Sequence, residues 1–310
     1  MPHACISCHR SINNSMLLTS FETILGLPDY IGYIFFFAIG AVIGSFLNVV
    51  IHRLPHEESI VFPNSACPKC QAKIKGYDNI PILSWLILGG KCRNCKSAIS
   101  PRYPAVELLT ALLFVLFFWR FDLTPILPVY LVFAAAIISL IFIDAEHMIL
   151  PNAITYPGIV SAFLVRGIFP VFFGAAYFTD LSYAPLAKMA YPVWAVSLIG
   201  ALLGALAGGG TLWLIGKLWK VLRGIEGMGL GDVKMMLAVG ALLGWRQTIV
   251  ALALSVTSGA VGGIIFMIVK REKDIQTQIP FGIFLGVGSI IAALFGDAII
   301  HWYITNFVPN

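Results

Sequence analysis

Residues 128–152 read PVYLVFAAAIISLIFIDAEHMILPN. From Pro128 to Ile143 no side chain carries a charge; then comes Asp144, followed by Glu146, His147 and the breaker Pro151. Apolar runs of this kind read as membrane-crossing helices, because roughly 20 residues of α-helix match the hydrocarbon thickness. An acid at the end of one is costly. A carboxylate beside hydrocarbon must be paired, wetted or neutralised, so its position alone makes Asp144 a functional candidate.

Similar runs occupy residues 31–51, 105–119, 154–173, 193–218, 233–243, 248–269 and 281–304. Together with 128–143 they predict about eight transmembrane helices. The run at 233–243 is short and holds Lys234, which makes it the weakest of the eight. Composition agrees: 59% of residues are hydrophobic and 11% charged, against about 25% charged in a soluble domain. A soluble enzyme or binding module is excluded. The first run lacks a small-x-small processing site, so it is expected to stay as a transmembrane helix and not to be cleaved as a signal peptide. Met1–Ser15 looks unlike the rest, leaving Met16 as an alternative start. Gly-rich stretches at 200–210 and 259–263 suit close helix packing, and no GxxxxGK[ST] phosphate loop is present.

The fold class predicted is thus an all-α polytopic membrane protein with one sizeable polar loop. The division expected is an N-terminal tail at 1–30, a first transmembrane helix at 31–51, a loop domain at 52–104 and a transmembrane domain at 105–310. Within the loop, Cys67-Pro68-Lys69-Cys70 and Cys92-Arg93-Asn94-Cys95 form two CxxC knuckles with residues 71–91 between them, just beyond the commonest zinc-ribbon spacing. Four thiolates in tetrahedral geometry satisfy Zn²⁺ and would staple a loop with little core of its own. Disulfides are the main competitor, disfavoured if the loop lies in a reducing cytoplasm. Cys5 and Cys8 repeat the spacing without a second pair and are not assigned as ligands.

Charge placement gives an orientation. Lys and Arg concentrate between Arg53 and Arg102, then at Lys217, Lys220, Arg223 and Lys234, then at Lys270, Arg271 and Lys273. By the positive-inside rule these segments are cytoplasmic. Clusters that flank spans at alternating intervals point to membrane lipid and argue against a nucleic-acid partner. Counting crossings from the Cys-rich loop brings the third span back to the cytoplasmic face at Asp144 and the fifth back just before Asp232.

Asp232 lies in GIEGMGLGDVKMMLAVGALLGW, residues 224–245, after Gly227, Gly229 and Gly231 and at the head of a helix. Alternate glycines permit close backbone approach, and a helix start favours an anion. Two carboxylates brought together cannot both ionise cheaply, so one keeps a proton while the other acts as a base. Such a pair activates water for attack on a peptide carbonyl. The rival reading is a transporter in which membrane-edge carboxylates relay ions or protons, and a third is a non-catalytic scaffold.

GMGLGDVK resembles the GxGD signature of intramembrane aspartic proteases. From about Gly40 onward, GSFLNVVIHRLP, the CPKC and CRNC pairs, ISPRYPAVELLTA, IDAEHMILPN, GMGLGDVK and IPFG follow one another in the order found in type IV prepilin peptidases. The resemblance implies that Asp144 and Asp232 are the catalytic pair. It also implies cleavage of the short basic leader of a prepilin or pseudopilin at the cytoplasmic face of the bacterial inner membrane. Through the family's cysteine-bearing members it implies N-methylation of the new terminus with S-adenosylmethionine. Asp78, Arg102 and Glu107 flank the knuckles, either as donors and acceptors for a cofactor or leader or as loop salt bridges and interface anchors. Two departures stand out: Glu146 replaces a frequent Asp, and the segment from Arg166 to Pro192 is longer than usual.

Overall fold

The computed structural model describes residues 21–63, 65–174, 177–178, 191–224, 228–270 and 280–308. Cys5, Cys8 and Gly227 fall outside them, as does most of the long segment before Pro192. Nine helices of more than five residues occur among the described residues: α1 Asp29–Arg53, α2 Arg102–Phe121, α3 Leu127–His147, α4 Asn152–Phe173, α5 Val193–Ala205, α6 Thr211–Arg223, α7 Leu230–Leu243, α8 Trp245–Lys270 and α9 Phe281–Phe307. Proline marks several starts. Pro101, Pro151, Pro192 and Pro280 stand immediately before α2, α4, α5 and α9, where a missing N–H costs nothing. The strand content of the described residues is two isolated bridges, Ala66 with Lys73 and Lys91 with Ala98.

Among the described residues, seven segments are long and apolar enough to cross a membrane; α5 and α6 join through a π-helical turn at Leu206–Gly210 into one of 31 residues. The eighth expected span is the exception. It folds as α7, a helix of 14 residues, about 21 Å long and therefore shorter than the roughly 30 Å hydrocarbon core. Gly244, at φ 81°, ends it. Its flanks are protein, since Val233, Met235, Met236, Val239, Gly240, Ala241, Leu242 and Leu243 are buried. A helix walled by protein need not match the lipid, because its end groups are not exposed to hydrocarbon.

The chain divides into two compact units, one of residues 1–48 and 63–135, the other of residues 49–62 and 136–310. In the first, α1 presents Gly32, Gly40 and Gly44 along one face at multiples of four residues. A Cβ built at Gly40 would fall 2.7 Å from the Ala111 Cα, and one at Gly44 2.7 Å from the Glu107 Cα, so α1 and α2 touch at backbone distance. Phe36 stacks on Phe118 above them at 4.5 Å, and below them the Asn48 amide donates to the Tyr103 carbonyl at 3.0 Å.

The second unit is built on the same principle. Cβ atoms placed at Gly204 of α5 and Gly240 of α7 would run into each other's backbone, and one at Gly208 would meet the Met236 carbonyl. Gly286 of α9 seats against Ile137 and Ile141 of α3, and Gly288 against Ser255 of α8. Arg166 of α4 is fully buried, with its Nε donating to the Ser197 carbonyl at 3.3 Å and its guanidinium 4.4 Å from the Phe178 ring.

Candidate active site and metal centre

Asp144 occupies the last turn of α3 and is only 5% exposed. Its carboxylate faces the backbone amides of Gly282 and Ile283 in the first turn of α9, the end of a helix that favours negative charge. Gly282 is what permits the approach. A Cβ there would lie 2.7 Å from Asp144 Oδ2. That oxygen is buried and has no hydrogen-bond partner among the described residues.

Asp232 comes from the other side, in the first turn of α7. The chain enters that helix through Gly229 in extended conformation, and Gly231 packs flat against Leu150, where a Cβ would meet the Leu150 Cβ at 2.8 Å. Lys234, one turn or less from Asp232, donates to Asn152 Oδ1 at 2.8 Å and lies over the Tyr156 ring. These contacts tie the first turn of α7 to the first turn of α4. The result is that Asp232, half-buried, stands close enough to Asp144 to feel its charge. Two carboxylates separated by 88 positions in sequence thus come within electrostatic reach of each other, and the first turn of α9 faces one of them. Glu146, in contrast, is exposed.

The amides of Gly282 and Ile283 are not identifiable as site groups from the sequence. The signal was IPFG before an apolar run, a proline-marked helix start, but nothing local says which acid such a start will face.

The four cysteines come together in the first unit. Cys67, Cys70, Cys92 and Cys95 place their sulfurs within 4.8 Å of one another, and all four are free thiols. The two knuckles are conformational copies. Gln71 and Lys96, each following the second cysteine of its knuckle, both have positive φ, at 57° and 59°. Their amides donate back to the Cys67 and Cys92 carbonyls at 2.9 and 3.0 Å. The amides of Cys70 and Lys69 pull the Cys67 thiol down to about 6 and Ser97 lowers the Cys95 thiol, whereas the Cys92 thiol, despite the amides of Cys95 and Asn94, is pushed up by burial and by the neighbouring Cys67 and Cys95. Easily formed thiolates are what a metal requires. The Cys67–Cys95 sulfur separation is 3.8 Å, matching the edge of a tetrahedron with metal–sulfur bonds of about 2.3 Å. The residues present therefore fit a tetrathiolate metal.

The residues flanking the knuckles make local contacts. Asp78 accepts two-pronged hydrogen bonds from Arg93 at 2.6–3.0 Å, which hold its carboxyl below the usual range. Glu107 accepts the Ile82 N–H at 2.7 Å, fixing a residue held at φ 63°. Arg102 lies over the Tyr103 ring.

Two families of known proteins match this chain. Residues 38–121 match the Bacterial Peptidase A24 N-terminal domain, and residues 131–264 match the Type IV leader peptidase family. The chain belongs to the type IV leader peptidase family. Relatives within that family include the prepilin leader peptidase/N-methyltransferase of Aeromonas salmonicida, 37% identical over 312 residues that cover 91% of this chain and 97% of the relative. That of Pseudomonas aeruginosa is 36% identical over 289 residues, covering 86% and 91%, and that of Neisseria gonorrhoeae 34% over 295, covering 86% and 93%. No solved structure matches. The first match contains the cysteine quartet, and the span between the two aspartates falls inside the leader peptidase match.

Proposed function

We propose that this chain is a bacterial inner-membrane prepilin peptidase that removes the basic leader of type IV prepilins or pseudopilins and N-methylates the new amino terminus. The observation that carries the reading is the pairing of Asp144 and Asp232 in a chain whose relatives bear that name over nearly their whole length. Two carboxylates acting at one site share one proton. The ionised member takes a proton from water, whose oxygen attacks the scissile carbonyl, while the protonated member hydrogen-bonds the carbonyl oxygen. The tetrahedral intermediate collapses as the amine leaves with a proton from the dyad. The Gly282 and Ile283 amides face the Asp144 carboxylate through these exchanges. S-adenosylmethionine is the co-substrate for the methylation that follows.

The basic clusters support a cytoplasmic location for the dyad and the knuckles, and hence cleavage at the cytoplasmic membrane edge. Purified protein incubated with a prepilin and S-adenosylmethionine is expected to yield a product lacking the leader and carrying one added methyl group. An unshortened prepilin from protein that is folded would overturn the proposal.

Gly282→Ala is expected to lower cleavage about 10²-fold without unfolding the protein, since the new methyl group must displace the Asp144 carboxylate and small misplacements cost that much. A rate matching the unmodified enzyme, measured beside a melting curve, would rule out a role for this contact.

The cysteine quartet is proposed to hold structural zinc through Cys67, Cys70, Cys92 and Cys95. Elemental analysis of protein purified without chelators should find one zinc per chain, and Cys67→Ser should lose the metal. Zinc-free protein with an intact loop would count against it.

A further inference from the structure

We infer that α6, the helix leading toward Asp232, is a binding site for anionic phospholipid headgroups at the membrane surface. The π-turn before it is pinned, because Gly208 and Gly209 press against the backbone of α7. Beyond that turn the helix keeps few protein neighbours: Gly216 sits against Met228, and within α6 Leu212 is the buried residue. The sequence from Leu212 to Arg223, LWLIGKLWKVLR, sorts by angle. At 3.6 residues per turn, Leu214, Ile215, Leu218, Val221 and Leu222 share one face, and Trp213, Lys217, Lys220 and Arg223 share the opposite one. The apolar face is bare: Leu214 is 60%, Val221 76% and Leu222 71% exposed. On the other face Lys217 Nζ lies 4.8 Å from the Trp213 ring, and the Arg223 guanidinium 5.3 Å from the Trp219 ring.

Length places the stripe. Val193–Arg223 spans 31 residues, and about 20 residues suffice to cross the hydrocarbon. The surplus, counted back from Arg223, begins near Trp213 and so comprises the segment that carries the three cations and two tryptophans. Trp beside Lys and Arg suits the headgroup layer, with acyl chains covering the leucine face and phosphates meeting the cations. A prepilin is a poor occupant of this face. The basic leader in the proposed function would be repelled by Lys217, Lys220 and Arg223, whereas a phosphatidylglycerol headgroup complements them.

The test uses the full chain in detergent, exchanged with an equal mixture of phosphatidylglycerol and phosphatidylcholine, the retained lipids being measured by native mass spectrometry. The unmodified chain is expected to retain phosphatidylglycerol preferentially. The triple variant Lys217→Gln/Lys220→Gln/Arg223→Gln should lose most of that preference, about 10²-fold if each cation contributes as surface lysines and arginines do. Lys217→Arg/Lys220→Arg, which keeps the charge, should retain it, and this arm stands even where the triple variant folds poorly. Unchanged selectivity in the triple variant would overturn the inference. So would displacement of phosphatidylglycerol from the unmodified chain by a basic-leader prepilin, which would make the face a substrate surface.

Discussion

Gly240→Val is expected to unfold the helical bundle of the second unit, with a loss of at least about 3 kcal/mol, beyond the ordinary range for overpacking. The reason is geometric. A Cβ at Gly240 falls on the carbonyl of Gly204, and a Cβ at Gly204 falls on the carbonyl of Gly240. Where a new methyl group meets the tip of a flexible side chain, a rotamer change absorbs it; here both partners are backbone atoms in the middle of helices. The neighbouring contacts cannot slide to make room, since Gly208 already sits against the Met236 carbonyl and Gly209 against the Val233 carbonyl. Relief would require α5 to separate from α7 along its length, and α7 carries Asp232. Gly158→Ala is the control. Its nearest neighbour would be the Ala238 Cβ at 3.5 Å, an ordinary contact, so the change should be neutral or stabilising by up to about 1 kcal/mol through helix propensity. Thermal unfolding in detergent separates the two, and a Gly240→Val protein that melts with the unmodified chain would refute backbone-on-backbone packing.

Asp144→Asn and Asp232→Asn are each expected to lower prepilin cleavage by at least about 10³-fold, the scale of a lost general acid or base. Asn keeps the size of the side chain and removes both the charge and the exchangeable carboxyl proton. Asp144 is buried against the start of α9, so an alanine there would leave a cavity and confuse stability with chemistry; the amide does not. For Asp232 the neighbouring tie between Lys234 and Asn152 remains in place, and the helix start is expected to form in the variant. The two single losses should be similar, because the members of a dyad act as a unit.

The helices were legible where the chain offers no alternative to crossing. The apolar run at 281–304 folds as Phe281–Phe307 and that at 154–173 as Asn152–Phe173, since apolar stretches of this length have few other places to go. At 233–243 hydropathy alone was a poor guide to length. What limits α7 is its burial among other helices, a tertiary property that leaves no periodic mark. The cysteine quartet was legible because its spacing is local, and each knuckle's turn is built from consecutive residues. The surroundings of Asp144 were not. Parity of crossings could set Asp144 and Asp232 on one face, but the amides that meet Asp144 lie 138 positions further along, and only packing of α9 against α3 brings them there. Glu107 shows the same limit, as its hydrogen bond to Ile82 depends on a strained residue in a loop.

The role of the two aspartates is decided by the intact mass of a prepilin after incubation with the purified chain and, in parallel, with each of the two asparagine variants. Loss of the leader mass is expected with the unmodified chain and an unchanged prepilin with both variants, all three proteins melting alike. A shortened prepilin produced at a comparable rate by either variant would contradict it.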